Sequence, residues 1–212
     1  MKKKILEASK FIVENGLVKG TWGNISIRYE DKIYITPSGI PYDILTEDMI
    51  SVVDLRGNHL EGLKPSSELP THLEIYRTRE DVNAIVHTHP IFSTTVSLVA
   101  DYIPPLIEDS VMILGSKILV AEYALAGTED LAINVVKALG NNNAVLLKNH
   151  GLITVGVDIK EALTASLVCE KTAEIYLYAL NIGKFSTLSE EDAIMLRNKY
   201  LNSYRQIEKD VR

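Results

Sequence analysis

Apolar residues recur at helical spacing through residues 1–16. Ile5, Ala8 and Ile12, and with them Leu6 and Val13, follow that spacing and Gly16 stands at the stop, which predicts an amphipathic helix. Glu7, Lys10 and Glu14 interrupt any leader-type apolar core, so this segment reads as part of the folded protein. After a loop over Lys19–Asn24 the period shortens. A strand is predicted over Ile25–Tyr29, and Lys32–Thr36 pairs with it across Glu30-Asp31 as a hairpin. Pro37-Ser38-Gly39 is a turn, and Ile50–Leu55 with His59–Glu61 flank Arg56-Gly57-Asn58 as a second hairpin.

Helical and strand patterns then alternate. A helix is predicted from about Glu68 to Arg77, capped by Ser67, with Pro70 tolerated in its first turn. Asn83–His89 reads as a strand and Phe92–Val99 as a helix. Thr128 caps a helix to about Leu139, and strands Ala144–Lys148 and Leu152–Val155 flank Asn149-His150-Gly151. Asp158 and Glu161 form a capping box for a long helix to about Asn181, and Ser189 opens a last helix to about Glu208. Hairpin-paired strands with interspersed helices predict an α/β class fold with a largely antiparallel sheet covered by helices. With no internal repeat or long linker, a single domain over 1–212 is expected.

Composition narrows the possible functions. A chain of 212 residues that is 46% hydrophobic and 24% charged can bury one full core. A net charge of −6, with no Lys/Arg stripe, argues against nucleic acid as the main partner. No apolar run reaches the roughly 18 residues a membrane helix needs, so no membrane partner is expected. The single cysteine, Cys169, cannot form an intrachain disulfide, which fits a reducing cytoplasm.

Ile85-Val86-His87-Thr88-His89-Pro90 carries the strongest chemical signal. Residues i and i+2 of a strand share a face, so His87 and His89 point the same way while Thr88 points to the other. Two converging imidazoles suit zinc, with Zn–N bonds of about 2.0–2.1 Å. His150, at the end of another apolar strand and before Gly151, can supply a third nitrogen and leave a coordination position open, the pattern of a catalytic zinc site. On spacing alone the pair also reads as packed strand histidines and His150 as a loop histidine. His59, in a polar hairpin, and His72, four residues after Glu68 on a helix, read as structural or solvated.

Three short segments combine glycine or small hydroxyl residues with free backbone N–H groups: Gly20–Ser26, Thr36–Gly39 and Lys64–Glu68. The third lies at a helix N-terminus, where the dipole and orphan N–H groups favour phosphate. None matches a P-loop or a dinucleotide fingerprint, and each also reads as a turn with a capping serine. Glu68 directly follows the third segment. A carboxylate there either complements the helix dipole or, if it faces the histidines, serves as a fourth ligand or general base.

Taken in order, GTWGNIS, ITPSGIPYDILTEDMI, KPSSE, AIVHTHP, EYALAGTEDLA and LLKNHGLI resemble the class II aldolase/adducin head family across nearly the whole chain. The resemblance implies a single three-layer α/β/α domain around a mostly antiparallel sheet, assembled as a homotetramer with active sites between subunits. It implies zinc on His87, His89 and His150, with Glu68 completing the set, although manganese or cobalt also suits mixed His/Glu ligation. Gly23, Asn24, Ser38, Gly39, Ser66 and Ser67 would hold the phosphate of a sugar phosphate. The implied reaction is reversible cleavage of a ketose 1-phosphate of fuculose, ribulose or 5-deoxyribulose type to dihydroxyacetone phosphate and an aldehyde.

Sugar-phosphate 4-epimerases and methylthioribulose-1-phosphate dehydratases are related alternatives; the epimerases usually carry aspartate at the Glu68 position. A non-catalytic adducin-type binding module is disfavoured because all three histidines and Glu68 are present. One departure stands out. The family's aldolases carry a tyrosine, thought to assist protonation near the aldehyde, where alignment places Glu108, and a carboxylate differs from a phenol in charge and by about six pKa units. A second tyrosine of the family, from a neighbouring subunit's C-terminal helix, aligns with Tyr204, with Tyr200 as the other register.

Overall fold

Strand alternation sends successive side chains to opposite faces of a sheet, so each face can seat its own layer of helices. In the computed structural model, which describes residues 1–205, both faces are covered. The strands are β1 (Asn24–Tyr29), β2 (Lys32–Ile35), β3 (Ser51–Asp54), β4 (His59–Glu61), β5 (Ala84–Thr88), β6 (Tyr102–Ile103), β7 (Ile118–Ala121), β8 (Ala144–Leu147) and β9 (Gly151–Gly156). They form one sheet in the order β4-β3-β2-β1-β5-β9-β8-β7-β6. Among the described residues only β7 with β8 runs parallel.

The helices are α1 (Lys2–Glu14), α2 (Leu69–Thr78), α3 (Ile91–Val99), α4 (Glu108–Leu114), α5 (Glu129–Leu139), α6 (Ile159–Ile182) and α7 (Glu190–Lys199). On one face Ile33, Ile35, Ile85, Val145, Leu147 and Ile153 pack on Leu73 and Tyr76 of α2 and on Leu131 and Val135 of α5. On the other, Ile25, Ala84 and Val86 meet Ile5, Ala8 and Ile12 of α1. Farther along that face Ala144, Leu146 and Leu152 meet Val96 of α3, Leu114 of α4, and Ala165 and Cys169 of α6. Each fully buried Leu, Ile or Val contributes about 1.5–3 kcal/mol by leaving water. The two apolar layers therefore fix the sheet register: a slip by one residue would turn these side chains to the wrong layer.

Local signals set most boundaries. Thr128 Oγ1 accepts the Leu131 N–H at 3.3 Å, Asp158 Oδ1 the Glu161 N–H at 2.9 Å, and Ser189 Oγ the Asp192 N–H at 3.0 Å. The Glu161 carboxylate reaches back to the Val157 N–H at 2.8 Å, one residue before the Asp158 N-cap, so the return bond of the expected capping box falls one residue early. Helix α3 follows Pro90, which offers no capping side chain. Glu170 of α6 replaces it, accepting the N–H groups of Phe92 and Ser93, each at 2.8 Å.

Three expectations are corrected. Residue Glu68, not Ser67, is the N-cap of α2, and its side chain makes no cap bond. The last helix ends at Lys199 in a single π-type turn, Tyr200–Tyr204, and the remainder of its predicted span lies outside the described residues. Elements β6, α4 and β7 occupy a stretch for which no element was expected; two of them are only two and four residues long, too short to show a period.

Candidate active site

The centre of the sheet brings the histidines together. Strand β5 pairs antiparallel with both neighbours, placing His87 opposite Asn24 of β1 and opposite Ile153 of β9. His87 shares a face with Ile85, the face covered by α2, and the α2 N-cap is Glu68. His150 lies in the turn between β8 and β9. Asn149 supplies the left-handed conformation there (φ 58°), one that asparagine tolerates better than most residues, and the His150 N–H closes the turn on Leu147 O at 3.0 Å. Gly151 is needed for close approach: a Cβ there would stand 2.5 Å from Thr88 O and 2.9 Å from His89 Cδ2. Its missing side chain is what lets β9 lie against the end of β5 and the His89 ring.

The result is a convergent donor set. The Nε2 atoms of His87 and His89 are 2.9 Å apart, and the three imidazole centroids are 4.8–4.9 Å from one another. Glu68 Oε1 is 3.3 Å from His150 Nε2 and Glu68 Oε2 is 3.5 Å from His87 Nε2. His87 Nδ1 donates to Leu152 O at 3.0 Å, so its Nε2 keeps the lone pair a metal needs.

Electrostatics point the same way. Burial works against the Glu68 carboxylate, but His87 and His150 outweigh it and hold the group down at about 2. Burial, reinforced by the neighbouring histidines, pushes His89 down to about 3; it also lowers His87. At neutral pH His87 and His89 are therefore neutral and Glu68 is ionised. Its Oε2 is buried with no hydrogen-bond partner among the described residues. An orphaned buried charge beside neutral imidazole nitrogens is costly, and a divalent cation answers it. The three histidine donors lie within 4.8 Å of one another, so the residues present fit such an ion.

Above this set opens a cleft of about 520 Å³. Gly23, Asn24, Ser38, Gly39, Ser66 and Ser67, all singled out in the sequence, line it together with Glu68, His89 and His150, while His87 is fully buried behind them. Two links hold the loops in place. Pro37 and Pro65 form a bridge between the second and third loops, reinforced by the Ser38 N–H on Lys64 O at 3.0 Å. Gly23 has φ 110°, and a Cβ there would stand 2.7 Å from His87 O, so this loop reaches β5 only with glycine.

Two parts of the wall, the Trp22 side chain and the Tyr123–Ala126 segment, had no individual role assigned in advance. Trp22 stacks 6.3 Å from His89, and Tyr123–Ala126 forms the far rim, with Gly127 close against Ser67. Exposed aromatic and apolar residues inside the quoted EYALAG segment were the signal available for that rim. Glu108, at the start of α4, and Tyr204 are exposed and do not line the cleft of the single chain.

His72 proves to be structural and not solvated: it is fully buried, and burial, with His87 adding to it against the opposing Glu68, pushes it down to about 3. The unfolded chain takes up this proton near 6.5 and the folded chain only near 3. Stability from this group is therefore complete above pH 6.5 and is lost as pH falls toward 3, by about 1.4 kcal/mol between pH 7.5 and 5.5. Urea midpoints at those two pH values should fall further for the wild type than for His72→Gln; equal falls would exclude His72 as a source.

Comparison with known proteins adds an independent view. The sequence profile described as "Class II Aldolase and Adducin N-terminal domain" matches residues 3–177. The chain is 39% identical over 199 residues to L-fuculose phosphate aldolase of Escherichia coli (strain K12), covering 93% of both chains. It is 36% identical over 202 residues to 5-deoxy-D-ribulose 1-phosphate aldolase of Bacillus thuringiensis serovar kurstaki, covering 94% of both. A solved L-fuculose 1-phosphate aldolase superposes with a TM-score of 0.91 at 35% identity, over 94% of this chain and 95% of that one.

Proposed function

Because the chain belongs to the class II aldolase and adducin N-terminal domain family, we propose that it is a metal-dependent lyase cleaving a ketose 1-phosphate to dihydroxyacetone phosphate and an aldehyde. The observation that carries this reading is the meeting of the His87, His89, His150 and Glu68 donors at the floor of a cleft walled by three anion-type loops. His87, His89 and His150 would hold the ion, zinc in the first instance with manganese or cobalt as alternatives, and Glu68 would complete the set before substrate enters. Bound there, the ion supplies Lewis-acid polarisation of the substrate carbonyl.

The chain's own residues do the rest. The loop amides and hydroxyls at Gly23, Asn24, Ser38, Gly39, Ser66 and Ser67 receive the phosphate, helped by the N-terminus of α2. That fixes the sugar carbons over the metal-binding floor and sets the orientation of the C3–C4 bond. When this bond breaks its electron pair stays on C3, the proton of the C4 hydroxyl leaves, and one proton is delivered to C3. Ionised Glu68, on the cleft wall, is the group assigned to C3; it takes that proton in the condensation direction and returns it in cleavage. Glu108 and Tyr204 of a neighbouring subunit are assigned the aldehyde side, in a homotetramer with its sites between subunits. Exposed apolar residues Ile91, Leu98, Val99, Tyr178 and Ile182 support such an assembly. Cytoplasmic action is part of the same reading, supported by the free, buried Cys169. No helix among the described residues is long and apolar enough to cross a membrane.

The test is product analysis over a panel of ketose 1- and 5-phosphates with added divalent metal. One dihydroxyacetone phosphate per ketose consumed is expected, and consumption without it would replace the aldolase with an epimerase or dehydratase. Ser67→Asp should raise KM at least about tenfold with a smaller change in kcat, because a carboxylate placed at the helix terminus repels the phosphate. An unchanged KM would remove Ser67 from the phosphate site.

A further inference from the structure

His72 lies one turn beyond Glu68 and has no free edge: Nε2 is 2.5 Å from Asn24 Oδ1 and Nδ1 is 2.6 Å from Ser26 Oγ. Ser26 Oγ in turn is 2.8 Å from the Tyr76 hydroxyl. All four residues are buried, from 0% exposure at His72 and Ser26 to 4% at Asn24. The chain links α2 to β1 and ends at Asn24, whose side chain lines the cleft.

The protons in this chain can run in only one direction. Nε2 of the imidazole faces the Asn24 amide and Nδ1 faces the Ser26 hydroxyl, and burial keeps the Tyr76 phenol protonated. The Tyr76 hydroxyl meets the Arg28 backbone, which can only donate to it, and Ser26 Oγ, so its own hydrogen goes to Ser26. Ser26 then donates to His72 Nδ1, and His72 Nε2–H donates to Asn24 Oδ1. The opposite polarity, with the Asn24 amide turned around, would bury the Tyr76 hydrogen without an acceptor, at a cost of about 1–3 kcal/mol. Asn24 Oδ1 is thus engaged from behind. Its Nδ2 has no partner among the described residues and is the end left for the cleft.

We propose that His72 is a positioning residue: backed by Ser26 and Tyr76, it grips Asn24 Oδ1 and so presents the Asn24 Nδ2–H donors to the substrate's phosphate. An unheld asparagine amide can turn its carbonyl oxygen toward the anion, which is repulsive; the buried relay removes that alternative before substrate arrives. This rests on the reading of Asn24 as a phosphate residue.

The experiment measures KM, kcat, inhibition by inorganic phosphate and bound metal in metal-loaded wild type, His72→Leu, His72→Gln, Asn24→Ala and the double variant His72→Leu/Asn24→Ala. His72→Leu should raise KM and the phosphate inhibition constant together by about tenfold, the worth of one hydrogen bond to a charged group, with a smaller fall in kcat. Glutamine can still donate to Asn24 Oδ1, so His72→Gln should recover most of the loss. In the Asn24→Ala background His72→Leu should add nothing, since the two act as a unit. If Asn24→Ala leaves KM and phosphate inhibition unchanged, the phosphate reading of Asn24 is wrong. If Asn24→Ala raises both but neither His72 variant does, or if the His72 and Asn24 effects simply add, the positioning role is wrong. Should His72→Leu fail to fold, the same decision rests on His72→Gln, with phosphate inhibition near wild type, and on Tyr76→Phe. Tyr76→Phe frees Ser26 to reverse and should weaken phosphate binding by a smaller factor; a wild-type value would sever Tyr76 from the relay.

Discussion

His89→Ala is expected to abolish ketose-phosphate cleavage and leave the fold standing. His89 follows the end of β5, and its ring is only partly buried at the mouth of the cleft. Its backbone N–H bond to Leu17 O, at 3.1 Å, survives the substitution. What alanine removes is one imidazole from the histidine triad, leaving His87, His150 and Glu68. Losing Lewis-acid stabilisation of several kcal/mol corresponds to a fall of roughly a thousandfold or more in kcat/KM. The unfolding free energy of the metal-free protein should change by less than about 1 kcal/mol, as is usual for a partly exposed side chain outside the core. Steady-state kinetics beside urea denaturation separates the two effects. An unfolded His89→Ala protein would mean that the metal centre holds the structure together as well.

Glu68→Gln is the complementary case. Glutamine keeps the volume and the main-chain geometry of the α2 N-cap, whose side chain makes no cap bond to lose. It removes the charge and the basicity. With three histidines intact the ion should remain bound, yet kcat should fall by about 10²–10⁴, the usual worth of a positioned acid/base, with a smaller change in KM. A drop below tenfold would move the C3 proton transfer away from Glu68, with Glu108 the next group to test. Together the pair assigns metal binding chiefly to the histidines and proton traffic to the carboxylate.

These residues were not equally readable from the sequence. His87 and His89 were legible because a strand's period of two is a local property, and the observed 2.9 Å between their Nε2 atoms follows from it. His150 was readable locally only as a candidate, because its approach depends on the β5–β9 register and on a glycine that makes room for His89, both long-range facts. The three loops proposed for the phosphate could be picked out singly by their glycines and hydroxyls. Their union in one cleft needed the Pro37–Pro65 bridge, which no local pattern encodes. His72 was invisible as anything more than a helix residue, since its partners Asn24 and Ser26 lie 48 and 46 positions away. The main helices and hairpins were legible through caps and periodicity, whereas β6, β7 and the Tyr123–Ala126 rim are too short or irregular to signal themselves. Glu108 and Tyr204 came from the family resemblance alone, and in the single chain both stay outside the cleft.

The most direct test of a catalytic metal centre on His87, His89 and His150 is the divalent metal content of protein purified without chelators, measured on the samples assayed for dihydroxyacetone phosphate release. About one ion per chain is expected, with activity lost on chelation and regained in proportion to the metal restored, and with both metal and activity missing from His89→Ala. Less than about half an equivalent of metal in a fully active preparation, or activity that survives complete chelation, would contradict it.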